Sequence, residues 1–251
     1  MPDAFSRTDL PVPEPVDFSK IADDRLAEMR DAAHEVVECH RILANTNDNI
    51  VGELIKDTEG FFEWDHYPEG DVFDHNTDSQ FYYHAHPQEL RSGEHGHFHT
   101  FLRPDGMPSG VRPAMVPDFK MPEGENEALS HLIAISMDKF GVPIRLFTTN
   151  RWVTGEIWYA ADDVRRMLDS FRIDHAQPSW PVNRWVSFMI RLFRPQIVNL
   201  LEARDAAVAA WQDAHPDSNV YEDEELEITS YLDINIDDQA AAIEAELSRR
   251  S

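Results

Sequence analysis

The chain has 251 residues, and its 47 Asp and Glu against 22 Lys and Arg give a formal net charge of −25 at pH 7. Because Lys and Arg attract nucleic acids and anionic membranes, this charge argues against both as partners. The single cysteine, Cys39, excludes an intrachain disulfide and a thiolate metal cluster, and the N-terminal residues lack an export signal, so we expect a cytoplasmic protein.

The N-terminal third of the chain changes character twice. Residues 1–18 hold four prolines and are predicted to form an extended arm, because proline interrupts helices and central strands. From Ser19 onward apolar residues recur every three to four positions, which predicts an amphipathic helix. A short second helix is predicted over 50–57. Residues 61–80 are aromatic, acidic and irregular, and no regular element is predicted there.

Two β-favouring runs follow, FYYHAH at 81–86 and HGHFHTFLR at 95–103. The residues between them include a proline and a glycine, so we predict a pair of antiparallel strands. The next segment, 104–124, holds five prolines and three glycines. It is longer than a simple connection requires, and we interpret it as a lid loop over the functional site.

Further strands are predicted over 130–138 and 143–153. A fifth, over 226–236, alternates apolar and polar residues, which predicts one buried face. Helices are predicted over 161–171, 182–194, 195–213 and 238–249. Residues 19–251 are therefore expected to form one α+β domain, a mostly antiparallel sheet of about five strands with helices packed around it.

Histidines are concentrated around the two strands, where eight of the 12 fall within 66 residues. Side chains two positions apart in a strand point to the same face, so His84 and His86 share one face. His95, His97 and His99 share a face of the second strand by the same rule. Paired strands lie about 4.8 Å apart, so imidazoles from both can reach one ion. The predicted metal ligands are His84, His86, His95, His97 and His99.

Two other residues are assigned candidate catalytic roles. Glu94 adjoins His95 and is preferred among the nearby acids as a metal ligand or general base. Tyr82 lies two positions before His84, so both side chains are expected on the same face of the strand. We expect Tyr82 to act there as a hydrogen-bond donor or a redox neighbour. His131 begins a later strand and is left open as a further ligand. The other acids considered are Asp74, Asp78 and Glu89.

The predicted site binds a transition metal, with one ion favoured over two. Imidazoles, alone or with a carboxylate, suit iron, zinc, copper and nickel. We favour iron and the O₂-dependent oxidation of a small molecule over zinc-type hydrolysis. Haem is less favoured, because it needs one or two histidines and the chain has no CxxCH string. A module that stores or senses metal or haem without catalysis is the alternative, and homo-oligomerisation is left open.

Several strings resemble known families over a few residues. HGHFHTF, at 95–101, resembles the histidine-triad motif of nucleotide hydrolases and transferases, and HAHPQ, at 84–88, is similar to the HxHxQ string of the related uridylyltransferases. This resemblance implies metal-free phosphoryl transfer through a histidine nucleophile. Gly96 stands where that motif has a bulky apolar residue. The spacing of the histidines is also similar to that of α-type carbonic anhydrases, and more weakly to that of cupins.

A broader resemblance rests on three strings together, YYHAHPQE, EHGHFHTF and LFTTNRWVTGE. They resemble an uncharacterised family of bacterial proteins without an assigned activity, so the resemblance implies no mechanism.

Arginines form a second pattern, in the predicted helix 182–194. Arg184, Arg191 and Arg194 lie along one stripe of an otherwise apolar helix. In so acidic a chain we expect them to pair with internal acids, and an anion site or a subunit contact is the alternative.

Overall fold

The computed structural model describes residues 10–87, 90–118, 120–124 and 126–251. In this part of the chain the strands are β1 (Tyr67–Asp74), β2 (Ser79–His84), β3 (Gly96–Leu102), β4 (Ser130–Met137), β5 (Pro143–Thr149) and β6 (Ile228–Asp233). The helices are α1 (Asp23–Ala44), α2 (Ile50–Ile55), α3 (Arg151–Thr154), α4 (Ala161–Met167), α5 (Trp180–Leu192), α6 (Arg194–Ala214) and α7 (Ile236–Arg250). None of the described helices is both long and apolar enough to cross a membrane.

The strands form one antiparallel sheet in the order β1-β2-β3-β4-β5-β6, so each strand pairs with the next along the chain. This confirms the α+β prediction, with six strands instead of about five. The additional strand is β1, at the edge of the sheet. Its pairing with β2 is interrupted between Tyr67 and Val72, where Gly70 and Asp71 have positive φ. An interrupted edge strand lacks the alternation from which strands are predicted.

The helices cover one face of the sheet. α5 packs between α1 and the sheet, and Trp185 of α5 meets Phe98 of β3 with ring centroids 5.4 Å apart. α5 gives way to α6 at Phe193, where Pro195 occupies the first turn of α6, as predicted from the proline. α6 then packs against β6, where the Ser230 hydroxyl donates to the carbonyl of Leu200 at 2.8 Å.

β6 is shorter than predicted, and its apolar residues do not share one face. Ile228 packs with Ala134 and Phe147, whereas Leu232 packs against the large core under the helices. The pairing of β5 with β6 shifts between Thr148 and Thr149. Because a shift of one residue turns every later side chain to the other face, the prediction of a single buried face is wrong.

Two segments predicted to be irregular are attached to the domain. In the described part of the N-terminal arm, Leu10 packs beside Phe147 and Trp158, and the Glu14 carbonyl accepts from Asn199 at 2.6 Å. In the loop 104–124, the Ala114 amide donates to the Trp158 carbonyl at 2.8 Å. The loop is thus fastened beside Trp158, and its closure over the site stays a prediction.

Candidate metal centre

The β2–β3 register brings three histidines together on the sheet face opposite the α5 contact. His84 lies directly across from His97, and their Nε2 atoms are 2.7 Å apart. His99 follows two positions along β3. All three side chains are buried, with exposed fractions of 9% for His84 and 1% for the other two. Each offers one ligand nitrogen, and these three nitrogens lie within 4.8 Å of one another.

His97 is held from behind by a carboxylate. Its Nδ1 lies 2.7 Å from Oε1 of Glu94, which is also buried, and the Ser136 hydroxyl donates to the other carboxylate oxygen. Because a carboxylate accepts hydrogen bonds, the proton of His97 belongs on Nδ1, and the lone pair on Nε2 points into the cluster. Glu94 is therefore placed to position His97, and its predicted role as ligand or general base stays a prediction.

His99 is oriented by a second chain of polar groups. Its Nδ1 lies 3.0 Å from Nε2 of His131, whose Nδ1 lies 3.4 Å from the Thr149 hydroxyl. With Thr149 as acceptor, each imidazole donates from Nδ1, which leaves the lone pair of His99 on Nε2. That Nε2 is buried and has no hydrogen-bond partner among the described residues. A bound metal ion would satisfy this buried nitrogen.

Burial keeps the imidazoles of this cluster neutral. It lowers the pKa of His84 to about 3 and that of His131 to about 3, and it lowers the pKa of His97 and of His99 well below the ordinary value. Neighbouring imidazoles and Arg91 add to the effect on the three clustered histidines. Because metal ligation requires unprotonated imidazole, these nitrogens are available to an ion at neutral pH.

His86 lies on the outer side of the cluster. Its ring centroid is 4.8 Å from that of His84 and 5.2 Å from that of His97, and Trp64 packs against it at 4.3 Å. The side chain is half-buried, and burial lowers its pKa to about 4. His86 is therefore close to the three histidines without belonging to their group.

The fifth predicted ligand, His95, lies elsewhere. Its Nδ1 is 2.7 Å from the Tyr83 hydroxyl, and its ring stacks on Phe61 at 5.1 Å. Tyr83 belongs to the core under the helices, on the other face of the sheet. β3 begins only at Gly96, so His95 sits in the bend before the strand and does not follow its alternation. The expectation that His95 shares a face with His97 and His99 is wrong.

The remaining predicted residues are distributed differently. Tyr82 is buried beside the cluster, with its ring centroid 5.1 Å from that of His99 and 5.4 Å from that of His84. Asp74 accepts the backbone amides of residues 76 and 174, and Asp78 accepts from Asn126, which gives both acids structural partners. Glu89 lies outside the described residues.

Two ionisable residues near the cluster have no motif that would reveal them in the sequence. Arg91, in the β2–β3 connection, is buried, forms an ion pair with Glu227 and lies 5.2 Å over the Phe147 ring, which in turn packs on His97. Glu156 accepts the His131 amide at 2.6 Å, and burial raises its pKa to about 8. Only the tertiary structure reveals them, because both lie in loops, where no strand or helix periodicity indicates the direction of a side chain.

Comparisons with known proteins add a family but no activity. No curated protein and no solved structure matches the chain. One family model, described as a domain of unknown function (DUF6969), matches residues 30–234, a range that includes the whole sheet and the histidine cluster. The chain therefore belongs to the DUF6969 family.

Proposed function

We propose that the chain is a mononuclear metalloenzyme in which His84, His97 and His99 hold one divalent transition-metal ion. The proposal depends on one observation: Nε2 of His99 has no hydrogen-bond partner among the described residues, and it lies beside the paired Nε2 atoms of His84 and His97. A tetrahedral ion with bonds of roughly 2.0–2.1 Å needs ligand nitrogens about 3.3 Å apart. The three ligand nitrogens lie within 4.8 Å of one another. Small rotations of the side chains would bring them to the tetrahedral spacing.

The ligand set favours zinc over iron. The facial triad of non-haem iron combines two histidines with a carboxylate, and the nearby carboxylate of Glu94 is instead engaged by His97 and Ser136. Three imidazoles with an open fourth position are typical of catalytic zinc. We therefore rank zinc-type hydrolysis first. O₂-dependent oxidation with iron is second, supported by the buried phenol of Tyr82 beside His99.

A bound ion would supply Lewis-acid activation of water or, with iron, O₂ chemistry. The protein's own groups would supply orientation and proton transfer. Glu94 and His131 fix the rings of His97 and His99. His86, neutral at pH 7 and on the outer side of the cluster, is placed to accept a proton from a small molecule. Burial raises the pKa of Tyr82, so its hydroxyl stays a hydrogen-bond donor.

Three alternatives receive less support than a metalloenzyme. Phosphoryl transfer needs an accessible nucleophile, and His97 is 1% exposed with contacts at both ring nitrogens. A storage or sensing site would be favoured if His86 closed the coordination shell as a fourth ligand. Haem receives less support, because the imidazoles pack directly against one another, as in the 4.8 Å separation of the His97 and His99 rings.

Metal content tests the proposal. The full chain, purified without a polyhistidine tag, is expected to carry about one zinc or iron ion per chain by elemental analysis. His99→Ala and His97→Gln are expected to lose it. His34→Ala, which removes an exposed histidine of α1, is expected to keep it. Wild-type protein that neither carries nor rebinds a metal would overturn the proposal.

A second measurement separates an enzyme from a storage site. In cobalt-substituted protein, azide is expected to shift the visible spectrum, because an open position accepts an external ligand. His86→Ala is expected to retain the metal and this response. Loss of metal in His86→Ala, together with a wild-type spectrum insensitive to azide, would indicate a closed site of four imidazoles and contradict the catalytic proposal.

A further inference from the structure

A cavity of about 430 Å³ lies between α5 and the segment 172–176. It lies on the helix side of the sheet, because α5 contacts Phe98, whereas the histidine cluster occupies the other face. Three of the residues that line it are arginines: Arg172, Arg184 and Arg191. The one acid in the lining is Asp174. In a chain of net charge −25, such a local excess of guanidinium groups is unusual.

The three arginines differ in their partners. Arg184 pairs with Glu35 at 2.6 Å, and Arg172 pairs with Asp174 at 3.0 Å. For Arg191, no acceptor lies within hydrogen-bonding distance among the described residues, and its guanidinium lies over the Phe188 ring at 5.2 Å. Burial, together with the neighbouring Arg172, lowers the pKa of Arg191. A half-buried guanidinium with free donors is a group that an anion would stabilise.

A second nitrogen on the same cavity also lacks a partner. The Nε2 of His175 is buried and forms no hydrogen bond with any described residue. Arg184 is held in place by its ion pair and by two aromatic rings, with its guanidinium 4.7 Å from Trp180 and 5.0 Å from Phe188. The cavity therefore combines fixed positive charge, unused donors and aromatic walls.

We propose that this cavity binds a small phosphate-bearing molecule. The phosphoryl oxygens would accept hydrogen bonds from Arg191 and Arg172, since planar guanidinium groups match a phosphate with several oxygens. A volume of about 430 Å³ is within the range of small-molecule sites and exceeds that of a phosphate alone. The half-exposed ring of Trp180 would contact the organic part. The proposal is independent of the metal centre.

Calorimetric titration of the full chain tests this site, with inorganic phosphate, phenyl phosphate and acetate as probes in a buffer free of phosphate. We expect saturable binding at one site, with phenyl phosphate tighter than inorganic phosphate and acetate weaker than both. Arg191→Gln and Arg172→Gln are each expected to raise the dissociation constant about tenfold or more. Arg165→Gln, which removes the same charge from a solvent-exposed pair with Asp162 on α4, is expected to leave it unchanged.

Three results would overturn the proposal: no saturable binding of either phosphate, equal binding of acetate, or equal weakening by Arg165→Gln and Arg191→Gln. If circular dichroism shows that Arg191→Gln does not fold, Arg172→Gln decides, because the Arg172 side chain is 54% exposed and its replacement leaves the core intact. Unchanged affinity in that variant would also contradict the proposal.

Discussion

The proposed metal site depends on the orientation of two imidazole rings. His97 and His99 each donate from Nδ1 to a group behind them, Glu94 and His131, and so present Nε2 to the cluster. Residue type and strand parity were enough to predict from the sequence that His84, His97 and His99 lie close together. Residue type and strand parity could not predict these supporting contacts, because Glu94 lies in the loop before β3 and His131 belongs to another strand, whose register the sequence does not reveal.

Glu94→Gln is expected to weaken metal binding about tenfold or more, because the uncharged amide polarises His97 less than the carboxylate does. Ser136→Ala should have a smaller effect, since it removes one hydrogen bond to Glu94 and leaves the charge. The dissociation constant is measured by competition with a chromophoric chelator. Glu53→Gln, on α2, is the matched control. Unchanged affinity in Glu94→Gln would show that the carboxylate does not support His97.

The buried histidines should also make the metal-free protein sensitive to acid. Their folded pKa values are lowered from 6.5, to about 3 for His84 and about 4 for His86, so the unfolded chain binds more protons below 6.5. The buried histidines therefore do not change the free energy of unfolding above pH 6.5. Below pH 6.5 this free energy falls as the pH decreases toward their folded pKa values. Glu156 has a raised pKa, so its effect on the free energy of unfolding has the opposite sign. It is one group, whereas the buried histidines are several, and their effect is expected to dominate.

Urea unfolding of chelator-treated protein measures this effect. The free energy of unfolding is expected to fall by at least about 1 kcal/mol between about pH 7 and about pH 5. His131→Gln, which removes one buried imidazole, should reduce the slope. A free energy that stays constant over this interval would mean that the imidazoles take up protons as readily in the folded protein as in the unfolded chain.

At the scale of elements, the β2–β3 hairpin places the site. The aromatic, β-favouring runs predicted both strands, whereas the register that sets His84 opposite His97 could not be read from the sequence. The sequence did not predict β1, whose pairing is interrupted, or the shift in β6 that separates Ile228 from Leu232. Irregular pairing depends on neighbouring strands, so local sequence patterns could not reveal it.

Gly96, at the start of β3, allows the close approach of the two strands. A Cβ there would lie 2.5 Å from both the His84 carbonyl and the Tyr83 hydroxyl. Gly96→Ala is expected to lower the free energy of unfolding by about 1–3 kcal/mol and to weaken metal binding, because the backbone of His84 must move. Gly52→Ala, in α2, is the control, since its Cβ would first meet the flexible Asp48 side chain. Equal stability of both variants would contradict this role.

At the scale of the molecule, the sheet separates two environments. The helices and the large core cover one face, and the histidine cluster lies on the other beneath the β2–β3 connection, where Arg91 reaches Glu227 ahead of β6. Composition and periodicity predicted the α+β architecture and most helices. The strong negative charge, which argued against nucleic acids, also raises the local concentration of metal cations.

Crystals of zinc-loaded protein, measured at the absorption edge of the metal, show directly whether three imidazoles hold one ion. We expect one anomalous peak within roughly 2.0–2.1 Å of Nε2 of His84, His97 and His99. A peak elsewhere in the chain, or none in fully loaded crystals, would contradict the proposed site.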